Sequence, residues 1–260
     1  MIVVERPGPM ATVQDLGRTG LAHLGVGRSG AADRPSLRLA NRLVGNPESA
    51  AGLEATLGGV VLRFERAATV ALAGAPCPIR VDDRAYAMNA PLDVPPVLGS
   101  RSTDLLSGLG PAVLTDGTTL PIGDPQGAYA GVDVAPVALA SGVVRLRVLP
   151  GPREAWFEAD ALTRLTSTAY RVTPASDRVG LRLSGPVLSR RITDELASEG
   201  MVEGALQVPP DGQPVLFLAD HPVTGGYPVI AVVDVADIPL AAQVRPGESL
   251  RFTLGARPGR

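Results

Sequence analysis

Short β-branched runs cut by glycine and proline dominate the chain: GGVVLRF, ATVALAG, VVRLRVL, YRVTP, VGLRLSG, GQPVLFLAD, YPVIAVV and ESLRFTLG. Runs this short, with a turn about every 8–12 residues, predict a β-barrel or sandwich. Only three stretches carry helical spacing. The clearest is Asp33–Leu43, where Asp33 is placed to cap, Pro35 falls in the first turn, and Leu37, Ala40 and Leu43 share a stripe. Glu154–Ser167 and Ser189–Leu196 predict two shorter helices. The expected class is therefore mainly β, with a few short helices.

The two halves echo each other. VERPGPMATVQD pairs with RVLPGPREAWFE, both reading as a strand that runs into Pro-Gly-Pro. ADRPSLRLANRLVG pairs with SDRVGLRLSG, LEATLGGVVLRF with GALQVPPDGQPVLFL, and GTTLPIG with GESLRFTLG. These pairs predict a duplicated β lobe, residues 1–142 and 143–260, joined through the Ala/Gly/Ser-rich stretch Gly127–Gly142.

Composition narrows the chemistry. With 260 residues, 45% of them hydrophobic, the chain can bury a substantial core. A net charge of -2 gives no basic surface for a nucleic-acid backbone, and 3% aromatics leave few stacking platforms. No run reaches the length of a membrane span and the opening residues lack a signal-peptide pattern, so neither a membrane nor a nucleic-acid partner is expected and the location is expected to be cytoplasmic. One cysteine, Cys77, excludes a disulfide within the chain, and two distant histidines give no metal set. All 24 basic residues are arginine. These residues therefore hold no P-loop lysine and no lysine to carry biotin, so any ATP chemistry would not use a Walker A motif here and biotin would arrive on another polypeptide. Gly25, Gly27 and Gly30 imitate a dinucleotide loop, but the preceding strand is poor and Asp33 starts the helix too early.

Several polar clusters exceed what turns require. In LADHPVTGGYPVIAVV, two apolar runs flank Asp220, His221, Thr224, Gly225, Gly226 and Tyr227 between two prolines. Gly225-Gly226 is where the backbone is expected to approach a ligand or take positive φ. TVQDLGR brings Gln14, Asp15 and Arg18 into one short loop. GRSGAAD leads Ser29 and Asp33 into a helix N-terminus, where free N–H groups favour an anion. LGSRST groups Ser100, Arg101, Ser102 and Thr103 as a carboxylate or phosphate clamp, Arg101 and Ser102 being its candidate site residues, and LQVPPDGQP adds Gln207 and Gln213. Each cluster alone reads as a capped turn; five together point to a polar pocket. Asp220, Thr224 and Tyr227 are the candidate catalytic residues, and the others are candidate substrate-binding residues.

The blocks TVQDLGRTG, SGAAD, LANRLVGN, LEATLGG, GSRST, LQVPPDGQPVLFLAD and TGGYPVIAVV resemble the biotin-dependent carboxyltransferase / allophanate hydrolase subunit 2 family. The likeness covers almost the whole chain in the expected order. It implies a cyclophilin-like β-barrel present twice, and a place in an ATP-dependent amidohydrolase complex acting on a small cyclic or urea-like amide, 5-oxoproline above all. It also implies a smaller related partner subunit, with a third in 5-oxoprolinase-type complexes. The family holds two further activities, carboxyl transfer from carboxybiotin in a urea carboxylase and the binding of a sporulation kinase inhibitor. Two departures stand out. Pro222-Val223 replaces the Gln-Thr of many members, and Tyr86–Pro91 runs straight into Leu92-Asp93-Val94 where members carry a Tyr-Leu-Ala-Val-x-Gly-Gly segment.

Overall fold

The computed structural model describes residues 1–65, 68–78, 80–81, 84–85, 100–122, 127 and 142–255. The Tyr86–Val94 junction and nearly all of the linker stretch lie outside them. The chain divides into two compact units, Met1–Gly20 with Arg28–Leu139 and Leu21–Gly27 with Ala140–Arg260.

In the first unit the strands are β1 (Ile2–Arg6), β2 (Met10–Gln14), β3 (Gly52–Thr56), β4 (Val61–Phe64), β5 (Arg80–Val81), β6 (Arg84–Ala85) and β7 (Thr119–Leu120), with helix α1 (Arg34–Leu43). Strand β1 lies between β4 and β7, with Ile2 opposite both Phe64 and Leu120. Strands β2 and β3 pair in register from Met10↔Thr56 to Gln14↔Gly52. Ile2, Val4, Ala11, Val13, Ala51, Leu114 and Leu120 form the apolar core. Among the described residues these sheets remain open.

The second unit contains β8 (Val144–Pro150), β9 (Ala169–Val172), β10 (Gly180–Ser184), β11 (Glu199–Gly200), β12 (Ala205–Gln207), β13 (Val215–Phe217), β14 (Thr224–Gly225), β15 (Val229–Val233) and β16 (Ser249–Leu254). Helices α2 (Ala161–Ser167) and α3 (Ile238–Ala242) accompany them. Seven strands close a barrel in the order β10-β13-β12-β15-β8-β16-β9. All its described pairings are antiparallel except β16 with β8. Alternation fills it, with Leu146 and Val148 from β8 and Leu250 and Phe252 from β16 all fully buried. The protein is mainly β with three α-helices, and the barrel is closed once among the described residues.

Three expectations need correction. ADRPSLRLANRLVG and SDRVGLRLSG are not structural equivalents: the first holds α1 and the second holds β10. Both open on Asp-Arg, and the following residue decides. Asp177 Oδ1 accepts from the N–H groups of Val179 (2.8 Å) and Gly180 (3.2 Å), turning the chain into a strand. Pro35 has no N–H to give, so Asp33 instead accepts from Ser36 N at 3.0 Å and caps a helix. Ser189–Leu196 contains no helix, because its backbone pairs with the 156–158 segment: Arg191 N and Ile192 N both donate to Trp156 O, and Glu158 N donates to Ser189 O. Glu154–Ser167 is split into a 3-10 turn, Glu154–Trp156, and α2, since Phe157 turns extended (φ -104, ψ 166) to bury its ring.

Candidate functional site

Each unit carries a polar cluster of its own. In the first, three loops meet around the Asp15 carboxylate, which follows the last residue of β2. Oδ1 accepts from the hydroxyls of Ser100 (2.8 Å) and Ser102 (2.6 Å) and from Gly17 N (2.8 Å); Oδ2 accepts from Arg101 N (2.6 Å). Burial pushes this carboxyl up, but donation from the Arg101 N–H, the Ser102 hydroxyl, the Gly17 N–H and the Ser100 hydroxyl outweighs it and holds Asp15 below the ordinary carboxylate value. Thr103 O accepts from Gln14 Nε2 (3.0 Å) and from the Ser29 hydroxyl (2.9 Å), while Arg18 Nη2 donates to Ser102 O. The backbones touch because glycine permits it. Gly17 has φ +86, and a Cβ there would stand 2.6 Å from the carbonyl oxygens of Arg28 and Ser29.

Gln14, Asp15, Arg18, Ser29 and Ser102 are thus brought into one enclosed network, each less than a tenth exposed. Arg101 joins it through its backbone N–H. Asp33 does not belong to it; its carboxylate is occupied at the N-terminus of α1, where Ser36 Oγ also donates to it at 2.7 Å. One acceptor in the network stays unused: Gln14 Oε1 is buried and has no partner among the described residues.

The second cluster lies where β12 meets β15, at a register shift between Leu206 and Gln207. Such a bulge re-aims a side chain. Gln207 Nε2 donates to Tyr227 O at 3.1 Å and lies 3.9 Å from Met201 Sδ. Val208 N donates to Pro228 O. The Tyr227 ring is 44% exposed, and the Arg190 guanidinium lies over it, 5.6 Å from the centroid. Arg190 Nη2 donates to Val208 O, while its buried Nε has no partner among the described residues. An enclosed donor left unpaired costs about 1–3 kcal/mol. Desolvation lowers the Arg190 pKa, against the attraction of Tyr227 and Asp211.

Within this loop the expected roles separate. Neither Gly225 nor Gly226 has positive φ. Gly225 is required by a protein group: a Cβ there would stand 2.6 Å from Gln207 Nε2. At Gly226 the nearest atom would be Leu196 O at 3.5 Å, an ordinary contact. Thr224 is exposed on β14, opposite Gly200. Asp220 is enclosed and held by Arg178 through Nε–Oδ2 (2.9 Å) and Nη2–Oδ1 (3.1 Å). A carboxylate held this way anchors its loop and is poorly placed to carry protons to a ligand. His221 stacks on Phe217 (6.1 Å, 25°), with Nδ1 2.8 Å from Pro222 O. Gln213 is spent locally: its Oε1 accepts from Gly185 N (2.9 Å) and its Nε2 donates to Gly185 O (3.2 Å).

Of the four polar residues grouped in GSRST only Arg101 and Ser102 were candidate site residues; the structure adds Ser100, whose hydroxyl donates to Asp15, and Thr103, whose carbonyl oxygen accepts from Gln14 and Ser29. Sequence reasoning also missed Arg178, which sits in a segment read only as a repeat, and Arg190, which falls in a segment expected to be helical.

Comparison with known proteins places the chain in a family. The carboxyltransferase domain, subdomain A and B, matches residues 24–95 and 87–254. The chain belongs to that family. It is 36% identical to the C subunit of 5-oxoprolinase from Escherichia coli (strain K12), across 97% of this chain and 90% of that protein. It is 30% identical to the urea amidolyase of Lachancea kluyveri over 96% of this chain, which is 16% of that much longer protein. The crystal structure of the K. lactis urea amidolyase superposes with a TM-score of 0.86 at 26% identity, covering 98% of this chain and 19% of that one. The two stretches of the carboxyltransferase match overlap at 87–95. The alignment to the E. coli protein extends over 282 residues, more than the 260 of this chain, so that relative carries residues without a counterpart here.

Proposed function

We propose that this chain is a subunit of an ATP-dependent amidohydrolase that opens a small cyclic or urea-like amide, with 5-oxoproline as the substrate. The observation that carries this reading is the end-to-end match to the 5-oxoprolinase C subunit, 97% of one chain against 90% of the other. Amide resonance makes direct attack by water slow, so the amide must first be activated. Transfer of the γ-phosphoryl group of ATP to the lactam oxygen releases ADP. Water then adds to the activated carbon and the C–N bond opens, leaving the amine and an acyl phosphate that a second water hydrolyses to the carboxylate and inorganic phosphate. Donors aimed at the developing oxyanion lower this barrier.

In this reading Tyr227 and Thr224 act at the exposed face of the β12–β15 rim, and Tyr227 moves a proton. Gln207 fixes the Tyr227 backbone, and Arg178 and Asp220 hold the loop that leads to it. With no lysine in these 260 residues, the site that takes ATP is assigned to a partner, a smaller related subunit with or without a third. The test is co-purification with the subunits encoded beside this chain, followed by an assay for ATP-dependent glutamate release from 5-oxoproline. A pure complex that consumes no ATP and releases no glutamate would overturn the reading. The match to urea amidolyase supports one alternative, carboxyl transfer from a partner's carboxybiotin to urea, which the same complex would reveal as urea-dependent loss of the biotin-bound carboxyl group.

A further inference from the structure

Arginines drawn away from solvent in the second unit meet carboxylates. Arg178 is gripped by Asp220, and Arg153 by Glu199. Arg190 departs from this pattern. Nη2 is taken by Val208 O, Nε is enclosed and unpartnered among the described residues, and Nη1 makes no bond to any of them. The acid whose charge it feels, Asp211, makes no ion pair with it and accepts instead from Gln213 N at 3.0 Å. Beneath the guanidinium lies the Tyr227 ring, whose phenol oxygen has no hydrogen-bond partner among the described residues. Burial lowers the pKa of Arg190, as expected for a cation desolvated without a counter-ion.

Two donors therefore stand side by side at the β12–β15 rim. One is charged, with Nη1 uncommitted among the described residues and able to donate to a carboxylate. The other is a phenol locked under it. The backbone around them is braced by Gln207 on Tyr227 O and by Val208 N on Pro228 O. We infer that Arg190 and Tyr227 form a carboxylate subsite, in which Arg190 Nη1 donates to the carboxylate of the substrate and the phenol hydroxyl donates to one of its oxygens. This rests on the hydrolase reading and narrows it: the substrate is a lactam that bears a carboxylate, as 5-oxoproline does and urea does not.

The experiment is calorimetry on the chain assembled with its co-purified subunits, without ATP, using 5-oxoproline and the neutral lactam 2-pyrrolidinone as probes. A charge-assisted pair of hydrogen bonds corresponds to about 10–100-fold in affinity. The wild-type complex is expected to prefer 5-oxoproline by at least ~10-fold on that scale. Arg190→Gln should erase the preference with Tm unchanged, and Arg190→Lys should restore part of it. Absence of any preference in the wild type, or its survival in Arg190→Gln, overturns the subsite. Should Arg190→Gln not fold, Tyr227→Phe decides. Weaker 5-oxoproline binding with 2-pyrrolidinone unchanged supports the subsite, and equal affinity for 5-oxoproline overturns it. A complex that shows the preference yet releases no glutamate with ATP fails as a hydrolase while the subsite stands.

Discussion

At the scale of single residues, two adjacent glycines that look alike in TGGYP have different causes. Gly225 lies against the Gln207 amide, whereas Gly226 has room for a methyl group. Gly225→Ala should push Gln207 off Tyr227 O, costing about 1–2 kcal/mol for the lost bond and the strain. Gly226→Ala should stay within about 0.5 kcal/mol; urea denaturation of both variants separates them, and equal losses would contradict the contact geometry. Asp15 makes the second test. Its carboxyl binds a proton less readily in the folded chain than at its ordinary value of 3.8, so the unfolded chain takes up more protons as pH falls. The stability it contributes is whole well above pH 3.8, and it is lost as the pH drops through the lower folded value. Asp15→Asn should lower Tm at pH 7, since an amide cannot accept all four donors. It should also flatten the fall of Tm in the acid range. A wild-type acid slope preserved in the variant would show that other carboxylates govern it.

At the scale of elements, the short β-branched runs gave away β8, β9, β10, β15 and β16; β8, β9, β10 and β16 alternate between barrel interior and more exposed positions, while β15 is buried almost throughout. α1 was equally readable from its cap, its proline and its stripe. Pairing between segments distant in sequence defeats local reading elsewhere. Ser189–Leu196 gives its backbone donors to Trp156, and no local pattern announces that. α3, only five residues long, follows Asp237, whose carboxylate grips Arg147 across 90 positions at 2.7 Å. Gln213 is a further case, expected to read a substrate but used to clamp Gly185. That clamp positions Gly185 against the Tyr170 ring, where an added Cβ would lie 2.5 Å from Cδ1. Tyr170 is fully buried, its hydroxyl donates to Pro186 O at 2.9 Å, and burial raises its pKa to about 12. Gly185→Ala should therefore cost about 1–3 kcal/mol by overpacking. Gln213→Ala should lose about 1–2 kcal/mol from two hydrogen bonds while leaving KM of the assembled enzyme unchanged. A raised KM at unchanged Tm would return Gln213 to the binding site.

At the scale of the whole molecule, the polar blocks that stood out in the sequence do carry buried networks, yet their chemistry was only half readable. Asp15, Ser102 and Gln14 were legible because too many donors and acceptors crowded into loops too short to solvate them. Arg178 and Arg190 were not, since nothing in SDRVG or SRRITDEL shows whether an arginine will meet a carboxylate or be left without one. The same limit applies to partners. The chain matches nearly all of one component of 5-oxoprolinase, and in urea amidolyase the matching region is about a sixth of a longer polypeptide. In the proposed reaction ATP must be bound and its phosphoryl group delivered, and the usual lysine that reaches the β- and γ-phosphates is missing from these 260 residues. Arginine can hold phosphates, but among the described residues the enclosed guanidiniums of Arg18 and Arg178 already donate to Ser102 O and to Asp220. The chain expressed alone should therefore bind ATP more weakly than about 100 μM, an affinity roughly 2.7 kcal/mol short of the micromolar range. It should release no glutamate from 5-oxoproline, and adding the smaller related subunit should restore ATP-dependent turnover. Calorimetry giving low-micromolar ATP affinity for the isolated chain, or full turnover without a partner, would place the phosphoryl chemistry on this polypeptide and overturn the division of labour proposed for it.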